Sequence, residues 1–231
     1  MELWLIRHGE TEQATLKNYD AQKKAPNPPL TSKGKMQAQS LAKRVENIEF
    51  SRIISSDMDR TIDTVSYLLK NRKVELEIEK GIREIDFGDL CCNSWTMFPD
   101  YHQKFKQHET DLPYPNGENG KAVWKRCQSM LESLDFESDE KVAIVCHGGV
   151  IRVLVSGLLN LPQAKRFDFG RPVYHCSITR IRFFHGKGTL HTLNEHSHIV
   201  GICESQILVE PEDEVKDSEK IGNKENTGNM D

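Results

Sequence analysis

The stretch VAIVCHGGVIRVL, residues 142–154, joins a short apolar run to an amphipathic one. Residues 142–145 are continuously apolar, as expected of a strand that is buried on both faces of a parallel sheet. Behind His147-Gly148-Gly149, apolar side chains recur with the period of a helix packed on one face, at Val150, Val153, Leu154 and Leu158. The stretch therefore predicts a buried strand, a tight turn and a helix in succession.

The same alternation recurs along the chain. Strands are predicted at 3–6, 52–55 and within 74–82, and helices after Thr31, near Asp59 and over 123–134. Residues 177–184 and 189–193 flank His185-Gly186-Lys187-Gly188, which is typical of a hairpin. This order predicts an α/β domain, a three-layer α/β/α sandwich with a mostly parallel sheet and a late antiparallel hairpin. The polar stretch 12–29 is expected to be a surface loop, and the aromatic-rich stretch 89–115 is expected to be irregular and to shape a cleft.

The composition argues against a membrane-spanning protein and against a nucleic-acid-binding protein. The chain has 231 residues, of which 37% are apolar and 29% charged. No apolar run approaches the roughly 18 residues that span a bilayer, and no clustered basic stripe predicts nucleic-acid binding. The six cysteines form no Cys-x-x-Cys pair, and the N-terminus does not resemble a signal peptide, so a reducing, cytoplasmic setting is expected. We predict one domain over 1–209 and an acidic, disordered tail over 210–231. The sequence does not indicate an oligomeric state.

Chemically versatile side chains follow the predicted strands. Arg7-His8, Arg60, Glu84 and His147 each lie at or just beyond a strand end. In parallel α/β sheets, ligands bind at the carboxyl ends of the strands, so these side chains are expected to lie on one edge. They offer what phosphoryl transfer requires, namely a nucleophile, cations for the phosphate oxygens and a proton donor.

The residue types suggest individual roles. His8 can attack phosphorus through a neutral ring nitrogen if its other nitrogen donates to a carbonyl. Arg7 and Arg60 suit forked recognition of phosphate oxygens, and a protonated His147 beside a dianion would add a third cationic donor. Glu84 is the candidate proton donor.

A cysteine nucleophile is the competing hypothesis, because Cys146 and Arg152 have the Cys-x5-Arg spacing of cysteine-dependent phosphatases. Six Cys and 12 Arg residues give roughly 0.3 such matches by chance. Cys146 also ends a buried strand, where a free cysteine usually packs as a small hydrophobe, and Arg152 is expected to be a solvated helix residue. His191, His196 and His198 are better explained as surface or hairpin residues than as zinc ligands, so neither a metal nor another cofactor is expected.

Taken together, the motifs resemble those of the histidine phosphatase superfamily, also called the phosphoglycerate mutase-like family. The matching elements occur in order from Glu2 to about His198: Arg7-His8-Gly9-Glu10-Thr11, Pro29-Leu30-Thr31 with Gly34 and Gln37-Ala38, Ser55-Ser56 with Arg60-Thr61, Glu84 with Phe87-Gly88, Gly117-Glu118, and His147-Gly148-Gly149. The resemblance implies that His8 is phosphorylated, that Arg7, Arg60 and His147 form the phosphate pocket, that Glu84 is acid and base, and that no metal is needed.

Within the superfamily, the chain is most similar to small bacterial phosphatases, including alpha-ribazole phosphatase. The substrate implied is a small phosphorylated metabolite, such as alpha-ribazole phosphate or a sugar phosphate. Gln13-Ala14 and Asn27-Pro28-Pro29-Leu30 differ from the mutase pattern, which disfavours a phosphoglycerate mutase, the first alternative. The second alternative is a non-catalytic phosphoester-binding module. Departures from the phosphatase pattern, which bear on specificity, occur at Leu90, Cys91, Cys92 and Asn119.

Overall fold

The computed structural model describes residues 1–12, 27–91, 93–169 and 172–203. The predicted tail, most of the first polar stretch, Gln13-Ala14 and Cys92 lie outside the described residues.

Six strands form one sheet in the order β3-β2-β4-β1-β5-β6. The strands are β1 (Glu2–Arg7), β2 (Arg52–Ser55), β3 (Leu76–Ile78), β4 (Lys141–Cys146), β5 (Ile178–Phe184) and β6 (Lys187–Glu195). Strands β1 to β4 run parallel, β5 pairs antiparallel with β1, and β6 pairs antiparallel with β5. The predicted mostly parallel sheet with a late hairpin is therefore confirmed.

Helices cover both faces of this sheet. They are α1 (Ser32–Arg44), α2 (Asp59–Leu69), α3 (Pro99–Lys106), α4 (Gly120–Glu132), α5 (Gly148–Leu158) and the short α6 (Val200–Cys203). Leu3 and Leu5 of β1 pack with α4 and α5, whereas Trp4 and Ile6 pack with α1 and α2. Because successive strand residues point to opposite faces, the continuous apolar run of β1 supplies both cores, and the three-layer sandwich is confirmed.

Three local expectations need correction. The strand expected within 74–82 is limited to Leu76–Ile78, and the chain then turns through a 3-10 helix at Lys80–Ile82. The stretch 89–115, expected to be irregular, contains α3, which begins with Pro99. Proline is tolerated at the first position of a helix because the N–H that it lacks would have no partner within the helix there. In the hairpin, β6 begins at Lys187, so His185-Gly186 alone forms the turn, with positive φ angles at both residues.

Two glycines hold the segment after β1 against the first turn of α1. Thr31 caps this helix by accepting the N–H of Gly34 at 2.9 Å. A β-carbon at Gly9 would lie 2.6 Å from the carbonyl oxygen of Gly34, and one at Gly34 would lie 2.1 Å from that of Glu10. The two backbones approach too closely for any side chain, so α1 fixes the position of residues 8–10.

None of the helices within the described ranges is long and apolar enough to cross a membrane.

We predict that Gly34→Ala destabilises the protein, although alanine normally favours a helix. The added methyl group must displace the Glu10 backbone, so we expect the free energy of unfolding to fall by about 1–3 kcal/mol. Urea denaturation followed by circular dichroism measures this change. Gly201→Ala is the matched control, since a β-carbon there meets nothing within 4 Å. Equal stability of both variants would contradict the close-approach argument.

Candidate active site

The parallel register brings three strand ends together. Arg7 of β1 lies opposite Cys146 of β4, and Val145 lies opposite Ser55 of β2. The next residues continue this pairing: His8 N–H donates to the Cys146 carbonyl at 3.1 Å, and Ser56 N–H donates to that of Val145 at 3.1 Å. His8, Ser56 and His147 therefore leave the sheet side by side, as the fold rule predicted.

The contacts of His8 define the state of its ring. Nδ1 lies 2.7 Å from the carbonyl oxygen of Gly9, which can only accept, so Nδ1 carries the proton. Nε2 is then unprotonated and accepts a hydrogen bond from Nε of Arg60 at 3.2 Å. Burial lowers the pKa of His8 well below its usual value, and the positive charges of Arg7 and Arg60 lower it further. His8 is thus a neutral imidazole with a defined tautomer.

Two arginines flank this imidazole. Arg7 donates from Nη1 to the carbonyl of Val173, and Arg60, only 8% exposed, lies in the first turn of α2. Desolvation lowers the pKa of Arg7 to about 10 and also lowers that of Arg60, while Glu84 opposes both shifts. Both guanidinium groups remain charged at neutral pH, so the pocket concentrates positive charge.

His147 is fully buried at the N-cap of α5. Its ring centroid lies 5.2 Å from that of His8, and its Nε2 lies 3.1 Å from Oγ of Ser56. Burial lowers the pKa of His147 well below its usual value, with the charges of Arg60 and Arg7 adding to the effect. Without a bound anion, His147 is therefore neutral.

Glu84 reaches this edge from the loop that follows the 3-10 helix at Lys80–Ile82. Its carboxylate accepts the N–H of Ile85 at 2.9 Å and that of Gly149, at the start of α5, at 3.4 Å. Arg126 holds the loop by donating to the Glu84 carbonyl at 3.1 Å and pairing with Glu118 at 2.8 Å. The Gly117-Glu118 motif thus helps to hold the loop that carries Glu84.

A cavity of about 210 Å³ adjoins Arg7 and Glu84. We call it the rim cavity, and the residues that line it are Arg7, Glu84, Ile85, Phe87, Tyr114, Gly148, Gly149, Arg152, Arg166, Phe167, Pro172 and Val173. Phe87 and Tyr114 meet edge to face with ring centroids 4.9 Å apart. Tyr114 lies in the stretch 89–115, so this stretch helps to shape a cleft, as expected.

The carboxylate of Asp111 anchors the C-terminal part of the stretch 89–115. Asp111 accepts from Arg166 at 2.5 Å, and both side chains are nearly inaccessible to water. The same carboxylate accepts the N–H groups of Gly120 and Lys121 at 2.9 and 2.8 Å, at the start of α4. Asp111 thus connects the aromatic stretch both to α4 and to the 3-10 helix Gln163–Phe167 that follows α5.

Three further residues belong to this region but were not assigned a site role from the sequence. His175 is 4% exposed, and its ring centroid lies 5.6 Å from that of His8. Thr64 accepts the N–H of Gly9 at 2.9 Å. Arg152, expected to be solvated, instead lines the rim cavity. Because β5 is antiparallel to β1, residues just before β5 return to the edge where β1 ends, and this pairing places His175 beside His8.

Cys146 is fully buried, as predicted. Desolvation raises the pKa of its thiol well above the usual value, which opposes the thiolate that a nucleophile requires. Among the described residues, no group of three or more His, Cys, Asp or Glu side chains could hold a metal ion. His196 stacks on Tyr174 at 4.1 Å, and Nε2 of His198 lies 3.0 Å from the carbonyl oxygen of Cys176.

The structure describes three of the positions that depart from the phosphatase pattern. Asn119 caps α4 by accepting the N–H of Ala122 at 2.9 Å. Leu90 is buried and Cys91 is exposed within the 3-10 helix Gly88–Cys91.

Comparisons with known proteins agree with this arrangement. The family model of the histidine phosphatase superfamily (branch 1) matches residues 3–196. The chain is 33% identical over 182 residues, 73% of its length and 85% of the relative's, to an adenosylcobalamin/alpha-ribazole phosphatase of Salmonella typhimurium. It is 28% identical, over 79% of its length and 85% of the relative's, to a probable phosphoglycerate mutase of Shigella dysenteriae.

A solved structure has the same fold. The phosphoserine phosphatase of Entamoeba histolytica, crystallised with phosphoserine as a His-to-Ala mutant, aligns with a TM-score of 0.73 at 26% identity. The alignment covers 86% of this chain and 99% of that one. The chain belongs to the histidine phosphatase superfamily and is an enzyme of the histidine phosphatase type.

Proposed function

We propose that the protein hydrolyses small phosphomonoesters through a phosphohistidine formed on His8. The observation that carries the proposal is the tautomer of His8, because its Nδ1–H is bound to the Gly9 carbonyl and its unprotonated Nε2 lies beside Arg60. A nitrogen with a free electron pair, next to two buried guanidinium groups, is what attack on a phosphate dianion requires.

Binding of the phosphate frees the nucleophile. In the empty site, the Nε2 electron pair of His8 accepts from Arg60. A phosphate dianion is a stronger acceptor than a neutral imidazole, so Arg60 turns to the phosphate oxygens together with Arg7. The dianion also raises the pKa of His147, which lies at the N-terminus of α5. His147 then donates to the phosphate in the charged form.

The reaction has two steps. Nε2 of His8 attacks phosphorus, the bond from phosphorus to the leaving oxygen breaks, and protonated Glu84 transfers its proton to that oxygen. The Glu84 carboxylate then takes a proton from water, the oxygen of that water attacks phosphorus, and the N–P bond breaks. The electron pair returns to Nε2, and inorganic phosphate leaves. Glu84 at the rim cavity, where the leaving group would lie, suits both proton transfers.

The substrate is proposed to be a small phosphorylated metabolite. The similar proteins are named for alpha-ribazole phosphate, phosphoserine and phosphoglycerate chemistry, and the rim cavity has room for a leaving group of similar size. Mutase activity is the alternative, because one similar protein is named a probable phosphoglycerate mutase. Stimulation of phosphoglycerate isomerisation by a bisphosphoglycerate would favour that alternative over hydrolysis.

We predict that His8→Ala lowers hydrolysis of p-nitrophenyl phosphate in the presence of EDTA by at least about a thousandfold, because the nucleophile is lost. Cys146→Ala is the matched control and should retain activity, since its thiol is buried in the core. Alanine is preferred to serine there because a buried hydroxyl would need a new partner. Activity that survives in the histidine variant but not in the cysteine variant would assign the chemistry to Cys146.

Glu84→Gln tests the proton donor. We predict that the rate of phosphoenzyme formation falls by about 10²–10⁴-fold for alkyl phosphates, whose leaving oxygen needs a proton, and much less for p-nitrophenyl phosphate. Formation of the phosphoenzyme in a rapid-quench experiment with each substrate separates this step from its hydrolysis. Equal losses in the rate of phosphoenzyme formation with both leaving groups would exclude Glu84 as the acid.

The lowered pKa of His8 predicts that its imidazole stays neutral as the pH falls below 6.5, where an unperturbed histidine becomes charged. Nitrogen NMR of ¹⁵N-histidine-labelled protein, assigned with a His8→Asn variant, should show protonated Nδ1 and unprotonated Nε2 at both pH 7.5 and pH 5.5. A cationic ring at pH 7.5, or a proton on Nε2, would contradict the proposed nucleophile.

A further inference from the structure

Asn194 lies at an irregularity of the hairpin, beside the segment that precedes β5. Over residues 192–195, β6 contains one residue more than the part of β5 that it faces, which makes a β-bulge. Asn194 lies within this bulge with a φ of 53°, a left-handed conformation that asparagine adopts more readily than most residues. Bulges change the direction in which a side chain points, and this one turns an amide away from the ladder.

The side-chain amide of Asn194 holds the segment before β5 at two points. Its Oδ1 accepts the N–H of Tyr174 at 2.9 Å, and its Nδ2 donates to the carbonyl of Pro172 at 2.6 Å. The ring of Tyr174 also stacks on that of His196, with the centroids 4.1 Å apart. Both hydrogen bonds are made to backbone groups, so the amide fixes the two peptide units on either side of Val173.

The peptide unit between Val173 and Tyr174 connects Asn194 to the phosphate pocket. In a planar trans peptide, the C=O and the N–H point in opposite directions. The N–H of this unit donates to Asn194, and its C=O accepts from Nη1 of Arg7. Rotation of the unit would break both bonds, so the amide of Asn194 sets the direction of the carbonyl that holds Arg7.

Arg7 has one nitrogen bound to the protein and another that lacks a partner. Its Nη1 is held by the Val173 carbonyl, whereas its Nε is buried and makes no hydrogen bond within the part of the chain that the structure describes. A buried N–H of this kind favours an anion that accepts from it. Because the guanidinium is rigid and planar, the bond at Nη1 also fixes the plane in which Nε donates.

We propose that Asn194 is a positioning residue for phosphate binding, which acts through the Val173–Tyr174 peptide on the guanidinium of Arg7. Its side chain lies on the opposite side of that peptide from Arg7, so it orients the phosphate ligand without being one. The inference rests on the proposed phosphatase function, in which Arg7 binds the phosphate of the substrate.

Asn194→Gly tests the inference, because glycine keeps the left-handed conformation without strain and removes only the amide. We expect kcat/KM for p-nitrophenyl phosphate to fall by about 10–100-fold, since a misdirected guanidinium stabilises the transition state poorly. The affinity for inorganic phosphate, measured by calorimetry, should fall by about tenfold.

Asn160→Gly is the matched control. Asn160 is an exposed asparagine with a φ of 56°, beyond the end of α5 that is opposite to His147. The control should keep the wild-type kcat/KM and phosphate affinity. Circular dichroism verifies that each variant is folded.

A double-mutant cycle with Arg7→Met separates positioning from a general loss of structure. If Asn194 acts through Arg7, Asn194→Gly should change kcat/KM by less than about threefold once the guanidinium is absent. A general loss of structure would lower kcat/KM by the same factor in both backgrounds. Asn194→Asp keeps the acceptor for the Tyr174 N–H and loses only the donor to Pro172, so its kcat/KM should be intermediate. It carries the same cycle if the glycine variant does not fold.

The outcomes separate the two proposals. Wild-type kcat/KM and phosphate affinity in Asn194→Gly, or equal losses in both backgrounds of the cycle, would overturn the positioning role and leave the phosphatase function standing. Failure of the wild type to hydrolyse p-nitrophenyl phosphate would overturn the phosphatase function, and the phosphate affinities of the same variants would then decide the positioning role. A wild type that neither hydrolyses the ester nor binds phosphate would overturn both.

Discussion

Desolvated positive charge is the constraint on which the site depends. Arg7 and Arg60 lie in a pocket whose burial disfavours their charge, beside two histidines that the same burial keeps neutral. Such an arrangement is costly in an empty protein, because water is excluded and Glu84 compensates only in part. A phosphate dianion supplies the missing negative charge. The energy that offsets this cost comes from the rest of the fold, from two apolar cores and a six-stranded, mostly parallel sheet.

Much of this arrangement follows from the positions in the sequence at which the parallel strands end. The runs at 3–6, 52–55 and 142–145 identify three parallel strands, and the carboxyl ends of parallel strands share one edge. His8, Arg60 and His147 could therefore be grouped from the sequence. Glu84 was grouped correctly for a weaker reason, since its strand is short and a 3-10 turn intervenes. Its position depends on Arg126 and Glu118, a contact between distant segments that periodicity does not reveal.

Other features could not be predicted. Placing His175 beside His8 requires knowing that β5 pairs antiparallel with β1, and a late hairpin can join either edge of a sheet. The orientation of Arg152 depends on the rotation of α5 about its axis. The apolar residues of a helix show which face is turned to the core. They do not show where a polar residue at the border of that face points. The protonation states of His8 and His147 depend on burial and neighbouring charges, which exist only in the folded chain.

The carboxylate of Asp111 has an evolutionary consequence. It ties the end of the aromatic stretch to α4 and to the turn after α5, independently of the phosphate-binding residues. The segment that begins at Asn93 is thus held at its C-terminal end, Asp111, by a rigid part of the fold. Insertions, deletions and new side chains can accumulate beyond this clamp without disturbing the catalytic edge. A chain built in this way can change the leaving group that it accepts while keeping one chemistry.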